Sequence, residues 1–261
     1  MAPLPEALLP PPSLQHTPIP DGSDLSHLLQ SVFSLPAAPA ARSVTLLPDH
    51  HSLLLFPCND TALFCPPHTA PLPLQLEAGC SLYAVRLHCG CGNWVCNATP
   101  TSAGGCVLPL DPLLPGSDRL CQSLAYCHSL PEQNSLFLRF AAVHGGRNYQ
   151  PNPLLRHCLE LIAERHGQIR IAELAEHVGC SQRHLNRLMN QKVGLSTKTV
   201  CQLAQLHHSL QVIFAASSRS VLHLAVNCGY FDQAHMNRQF HQFLGCSASD
   251  MRRLIEERRS L

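Results

Sequence analysis

Arginine, asparagine and glutamine side chains can pair with the edges of guanine and adenine in a major groove. Two stretches of this sequence set such residues out in nearly the same order. One reads LNRLMNQKVGLS (Leu185 to Ser196) and the other, 51 residues on, MNRQFHQFLGCS (Met236 to Ser247). At helical spacing, Leu185, Leu188 and Met189 in the first, and Met236, Phe240 and Phe243 in the second, turn inward. Arg183, Asn186, Arg187 and Asn190 are then left on the outer face of one helix. Gln233, Ala234, Asn237, Arg238 and His241 are left on that of the other. The chemistry on offer is hydrogen bonding to base edges and phosphates.

A second chemistry is raised by 14 Cys and 17 His. The densest cysteine group is Cys89, Cys91, Cys96 and Cys106, spaced C-x-C-x4-C-x9-C. A zinc ribbon pairs its cysteines as C-x2-C. The favoured reading is therefore free, mostly buried thiols, with no metal and no cofactor. His50 and His51, adjacent on an expected strand, would point to opposite faces and could not easily share one metal. The sequon Asn97-Ala98-Thr99 carries no weight without secretion.

The outward residues need helices to present them. IAELAEHVGCS (Ile171 to Ser181) and VLHLAVNCGYFD (Val221 to Asp232) each place an Ala, Ala175 or Ala225, four residues before a Gly, Gly179 or Gly229. This is the helix-turn-helix pattern, with a small residue at the crossing and a left-handed turn glycine. Ser181 and Asp232 are the expected caps of the helices that follow. The second turn has one residue more: Gly229 to Arg238 is nine positions, Gly179 to Arg187 eight. Between the units, Val200, Leu203, Leu206, Leu210 and Phe214 mark one long helix. Before them, Leu154, Leu155, Cys158, Leu161 and Ile162 mark another, ended by Gly167.

The first half reads differently. Short apolar runs such as SVTLLP, HSLLLF, SLYAVRLHC and CVLPL, set between Gly, Pro, Asn and Asp, predict a β sandwich or barrel. Asp24 to Leu35 fits a strand or a short helix. Residues 117–140 predict two trailing helices, one with a Ser/Asp cap and one starting at Pro131. The break GGRNYQPNP (Gly145 to Pro153) marks the boundary. The organisation expected is thus a poorly defined Pro/Leu-rich segment over 1–41, a β-rich domain over 42–146, a linker over 147–153 and an all-α domain over 154–261. Within the last, the first helix-turn-helix spans about 169–193, the linker helix about 196–216 and the second unit about 220–244.

Residues 1–153 hold five Arg, no Lys and nine acids, a balance of −4; residues 154–261 hold thirteen Lys and Arg and eight acids, a balance of +5. The basic second half is the one expected to meet a polyanion. Charged residues are 13 % of the chain, about half the usual 25 %. No uninterrupted run of 18 apolar residues indicates a membrane span, and the N-terminus lacks a basic signal-peptide region. A cytoplasmic protein with no membrane partner is expected.

The segment Leu154–Arg259 resembles the DNA-binding domain of AraC/XylS-type transcription regulators. LAVNCGYFDQAHMNRQFHQFLGCSASDMR carries the resemblance, following the family form I-A-x-x-x-G-[FY]-x-[DS]-Q-[SA]-x-[FL]-x-R-x-F. The resemblance implies seven helices, with two helix-turn-helix units joined by a long one. Ser181, Gln182, Arg183, Asn186, Arg187 and Asn190 then become the DNA-contacting set of the first unit. Asp232, Gln233, Ala234, His235, Asn237 and Arg238 become that of the second. Ala248 and Thr197 stand where the family has Pro, and Met236 and Met251 where it has aromatics. The linker helix, CQLAQLHHSLQ, has two His and no Arg, which predicts fewer phosphate contacts. Ser43–Phe56, Pro66–Gly90 and Val107–Gly116 resemble the incomplete β-barrel sensor domain of a subset of these regulators, which implies effector binding or dimerisation.

The leading function is a sequence-specific, non-enzymatic transcription regulator reading two successive major grooves of double-stranded DNA. RNA polymerase, a small-molecule effector and a second copy of the chain are further expected partners. Two alternatives stand beside it. One is a fusion resembling Ada-type alkylation repair, with a zinc-bound cysteine as methyl acceptor. The other is a regulator acting through protein contacts alone.

Overall fold

The computed structural model describes residues 7–9, 17–18, 24–58, 60–96, 107–215 and 225–259. Among the described residues the first half holds nine strands: β1 (Ala7–Leu9), β2 (Thr17–Pro18), β3 (Leu29–Leu35), β4 (Arg42–Leu46), β5 (Leu53–Pro57), β6 (Leu63–Cys65), β7 (Leu72–Leu76), β8 (Leu82–Leu87) and β9 (Leu108–Pro109). One sheet runs β1-β4-β7 and the other β2-β3-β8-β5-β6-β9. All pairs are antiparallel except β1 with β4.

The larger sheet is buried on both faces. Phe33, Leu53, Leu55, Leu82 and Ala84 pack with Val44, Leu46 and Leu76 of the smaller sheet. Their alternating neighbours Val32, Leu54, Phe56, Tyr83 and Val85 pack against α1 (Ser117–Leu124) and α2 (Leu130–Val143) through Leu120, Leu124 and Phe137. Double burial explains the unbroken apolar runs LLLFP and LYAVRL. The β-rich reading of the first half thus matches, as a sheet-sheet-helix sandwich. Two details differ. Residues 29–35 form β3, a strand with neighbours on both sides inside the larger sheet, so the β-rich region starts before residue 42. The cap of α1 is not Ser117 or Asp118: Asp111 Oδ1 accepts from the Gly116 and Asp118 amides at 2.9 and 3.2 Å. Asp118 instead accepts from the Ala62 amide at 2.8 Å and ties α1 to the sheet.

The second half is helical: α3 (Pro153–Glu164), α4 (Ile171–His177), α5 (Gln182–Lys192), α6 (Thr197–Ala215), α7 (Gln233–Leu244) and α8 (Ala248–Arg259), with helical residues also at 225–227. Residues 216–224, where the first helix of the second unit is expected to begin, lie outside the described residues. Leu185, Leu188, Met189, Leu203, Leu206, Met236, Phe240 and Phe243 share one core, and Leu47 of the first half is part of it. No helix among the described residues is long and apolar enough to cross a membrane.

Candidate nucleic-acid interface

The two units are built by the same local bonds. In the first turn the Cys180 amide donates to the Ala175 carbonyl at 2.9 Å and the Gly179 amide to Glu176 at 3.1 Å; in the second, Tyr230 donates to Ala225 at 2.9 Å and Gly229 to Val226 at 3.0 Å. These are the paired bonds of a Schellman turn, and the glycine φ values of 67° and 74° supply its left-handed residue. Ala175 and Ala225 are buried where a larger side chain would hold the helices apart. Ser181 and Asp232 cap as expected, accepting from the His184 and His235 amides at 3.2 and 2.6 Å. From Gly179 to its cap is two positions, from Gly229 three, so the extra residue of the second turn is Phe231.

Behind α5 and α7 the six apolar residues expected to face inward, three on each helix, are buried. On the outer face of α5, Gln182, Arg183, Arg187 and Asn190 are exposed, and an Arg187 Nη2 lies 3.2 Å from His184 Nδ1. On α7, Ala234, Arg238 and His241 are exposed, with Gln233 and His235 half-buried. The side chains of α5 fall at i, i+4 and i+7 (Arg183, Arg187, Asn190), one stripe along the helix.

The two asparagines also bond within the fold. Asn186 Oδ1 accepts from the Thr197 amide at 3.1 Å, and Asn237 Oδ1 from the Ala248 amide at 3.2 Å, each eleven residues on. Each of α5 and α7 thus reaches forward to satisfy the first turn of the next helix, α6 or α8. Both donor amides sit at the two positions where this chain has Thr197 and Ala248 and a proline would have no N–H to give. The carbonyls of Asn186 and Asn237 are committed within the fold, while Asn186 itself is exposed and Asn237 half-buried. The matching eleven-residue offset in both copies was the sequence signal for this.

The linker helix α6 meets the first half at its middle. His207 Nε2 donates to the Pro48 carbonyl at 2.7 Å. Asp49, fully buried, follows; an Arg86 Nη2 from β8 lies 2.8 Å from its Oδ1 and 2.7 Å from its Oδ2. Burial would raise the Asp49 carboxyl, but Arg86, with His207 and His51, outweighs it and holds the group well below the usual carboxylate range. His51 is pushed down to about 4, by burial first and then by Arg86. His50 and His207 are lowered too, mainly by burial, so the linker-helix His207 is neutral at pH 7, as its sequence context suggests.

Here the strand reading of His50 and His51 is corrected. They lie at a bend after the Asp49–His68 bridge, with ring centroids 4.2 Å apart rather than on opposite faces. Donor atoms of Asp49, His50 and His51 fall within 4.8 Å of one another. Arg86 Nη2, 2.9 Å from His51 Nδ1, already bonds two of the three residues. A cation there would have to displace a guanidinium. The cysteine cluster does not assemble as a donor set among the described residues. Cys89 Sγ donates to the His50 carbonyl at 3.0 Å. Burial raises its thiol and pushes Cys91 up to about 12, so neither is a ready thiolate nucleophile. Cys106 lies outside the described residues, as does the sequon. A cavity of about 550 Å³ opens beside this junction, between the sandwich and α3, lined by His27, His50, His88, Cys89, Leu155 and Glu160 among others.

A family model described as a helix-turn-helix domain matches residues 174–254. That stretch is a helix-turn-helix domain of the AraC type and spans less than half of the chain. No curated protein matches the chain. Among solved structures, the C-terminal domain of AraT, a response regulator from Geobacillus stearothermophilus, is similar at 20 % identity, covering 40 % of this chain and 86 % of that one, with a TM-score of 0.38. ToxT from Vibrio cholerae is similar at 7 % identity, covering 86 % of this chain and 97 % of that one, with a TM-score of 0.46.

Proposed function

We propose that a chain carrying an AraC-type helix-turn-helix domain over 174–254 is a transcription regulator that reads two successive major grooves with α5 and α7. The observation that carries this reading is the repetition of one construction: the same Schellman turn, the same cap and the same outward stripe, on either side of one helix. The 19 residues of α6 span about 28 Å at 1.5 Å per residue, near the roughly 34 Å turn of B-DNA. One chain then does what two halves of a symmetric dimer do elsewhere, and its two reading faces differ. The bound site is asymmetric.

Gln182, Arg183, Arg187 and Asn190 serve one half-site, and Gln233, Ala234, His235 and Arg238 the other. Ser181 and Asp232 hold the helix starts in place, where backbone amides can meet phosphate. Arg183 and Arg238 carry the base specificity, since a guanidinium reaches guanine O6 and N7 together. The cavity beside α3 is the place for an effector, because a ligand there touches both halves. The protein acts in the cytoplasm and without catalysis.

The test is selection of bound duplexes from a random library, followed by footprinting and binding of Arg183→Ala and Arg238→Ala. Two protected clusters one helical turn apart are expected, with each variant relaxing preference in its own cluster. Equal binding by wild type and variants removes the base-reading assignment. Absence of binding at any modest salt removes the DNA reading.

A further inference from the structure

The extra residue of the second turn is an exposed aromatic. Phe231 is 91 % exposed, the highest value for a large hydrophobic side chain among the described residues. It directly precedes Asp232, the cap of α7. An apolar residue in that position has an ordinary structural use, packing onto the fourth helical residue as a hydrophobic staple. That residue is Met236, which is fully buried, and a ring so exposed does not cover it. The neighbouring Tyr230 takes the inward role instead: it is 4 % exposed, its hydroxyl accepts from Ser209 Oγ at 3.2 Å, and its ring meets His235 edge-on at 5.4 Å. The turn therefore sends one aromatic into the core and holds the next out in water. The first unit has Cys180 followed by its cap Ser181 and no such residue.

Phe231 stands one position before the capped start of the helix that the proposed function puts into a major groove. Its flank on that helix is open, because Ala234 is small and exposed. A phenyl ring has no hydrogen bond to offer a base edge. The apolar group that a base pair presents in the major groove is the thymine methyl. We propose that Phe231 is a specificity residue that packs on a thymine 5-methyl group at one end of the half-site read by α7. This rests on the DNA-reading function above. It adds a thymine requirement to one half-site only.

The experiment uses the full chain and the duplex selected from a random library. If no duplex is selected, the DNA reading itself fails, and that failure is distinct from this one. With a selected duplex, each thymine is replaced in turn by deoxyuridine, which deletes only the methyl, and affinity is measured for wild type and Phe231→Ala. At one or two thymines in the α7 half-site, deoxyuridine is expected to weaken wild type about three- to five-fold, the worth of one buried methyl, and to leave Phe231→Ala unchanged. Phe231→Leu, which keeps an apolar side chain, is expected to retain part of the effect. Unchanged thermal unfolding shows that the variants fold. Three results overturn the proposal: no thymine whose effect depends on residue 231, a loss in Phe231→Ala that is uniform across unrelated duplexes, or binding by Phe231→Ala equal to wild type.

Discussion

Replacing Asn186 or Asn237 by Ala separates a fold-holding role from a base-reading one. Each side chain supplies the acceptor for an amide at the start of the next helix, Thr197 for α6 and Ala248 for α8. Both amides belong to buried residues, exposed 0 % and 1 %, so water does not readily replace the lost acceptor. Loss of a capping acceptor costs about 0.5–2 kcal/mol, with about 1 typical. Asn186 should lie at the upper end, because Thr197 Oγ1 also lies within 3.4 Å of its carbonyl. For a chain of this size 1 kcal/mol lowers the melting temperature by about 2–4 °C. Urea unfolding followed by circular dichroism measures the loss directly. Asn186→Asp keeps an acceptor and adds a negative charge at a helix N-terminus, so it should recover most of the stability. DNA affinity, measured well below the midpoint, should change less than three-fold in the Ala variants. The opposite pattern, unchanged stability with affinity down ten-fold or more, would refute the capping assignment and return both residues to the base-reading set.

Three further outcomes follow from the junction and the helix packing. Acid should destabilise the protein well before its carboxylates titrate: His51 titrates near 4 in the folded state and near 6.5 unfolded. Its contribution is complete above pH 6.5 and lost as pH falls toward 4, worth about 3 kcal/mol in all. His50 and His207, also lowered, steepen the fall; urea midpoints at pH 7.5 and 5 test it, and a flat profile in wild type counts against it. Arg86→Leu leaves the buried Asp49 charge unpaired and should lose about 3–5 kcal/mol, with Asp49→Asn added to it restoring much of that; calorimetry of the single and double variants decides. Gly167→Ala should lose about 3 kcal/mol or more, because at φ 75° its Cβ would stand 2.0 Å from the Cys201 carbonyl oxygen in α6; a melting temperature within 2 °C of wild type would contradict the close approach.

What could be read from the sequence was local. A small residue, a glycine and a cap at fixed offsets specify a Schellman turn wherever they occur, so both helix-turn-helix units were visible before the fold. So were the inward residues of α5 and α7, which obey a single period. What could not be read depended on partners far along the chain. The asparagines offer no sign in their own helices that their carbonyls accept from amides eleven residues later. Strand β3 is buried on both faces, so LQSVFSL shows no clean alternation and was equally readable as a helix. The apolar run around them puts His50 and His51 on a strand, but the chain bends immediately after Asp49 and gathers their rings. A clue existed in SLYAVRLHC: a lone arginine in an apolar strand requires a buried counter-charge, and Asp49 is that group.

The contact between His207 and Pro48 falls near the midpoint of α6, with ten residues before it and eight after. Mechanically it is a fulcrum. The two arms are about 15 and 12 Å long at 1.5 Å per residue; α5 leads into the first, and the second unit bonds α6 at Gln202, Gln205 and Ser209, close to the pivot. A tilt of about 10° around that point carries the ends about 2–3 Å in opposite directions on arms of this length. A change in the Pro48–His51 segment therefore bears on the one helix that both helix-turn-helix units bond, through Asn186 at its start and through Gln202 and Gln205 at its middle.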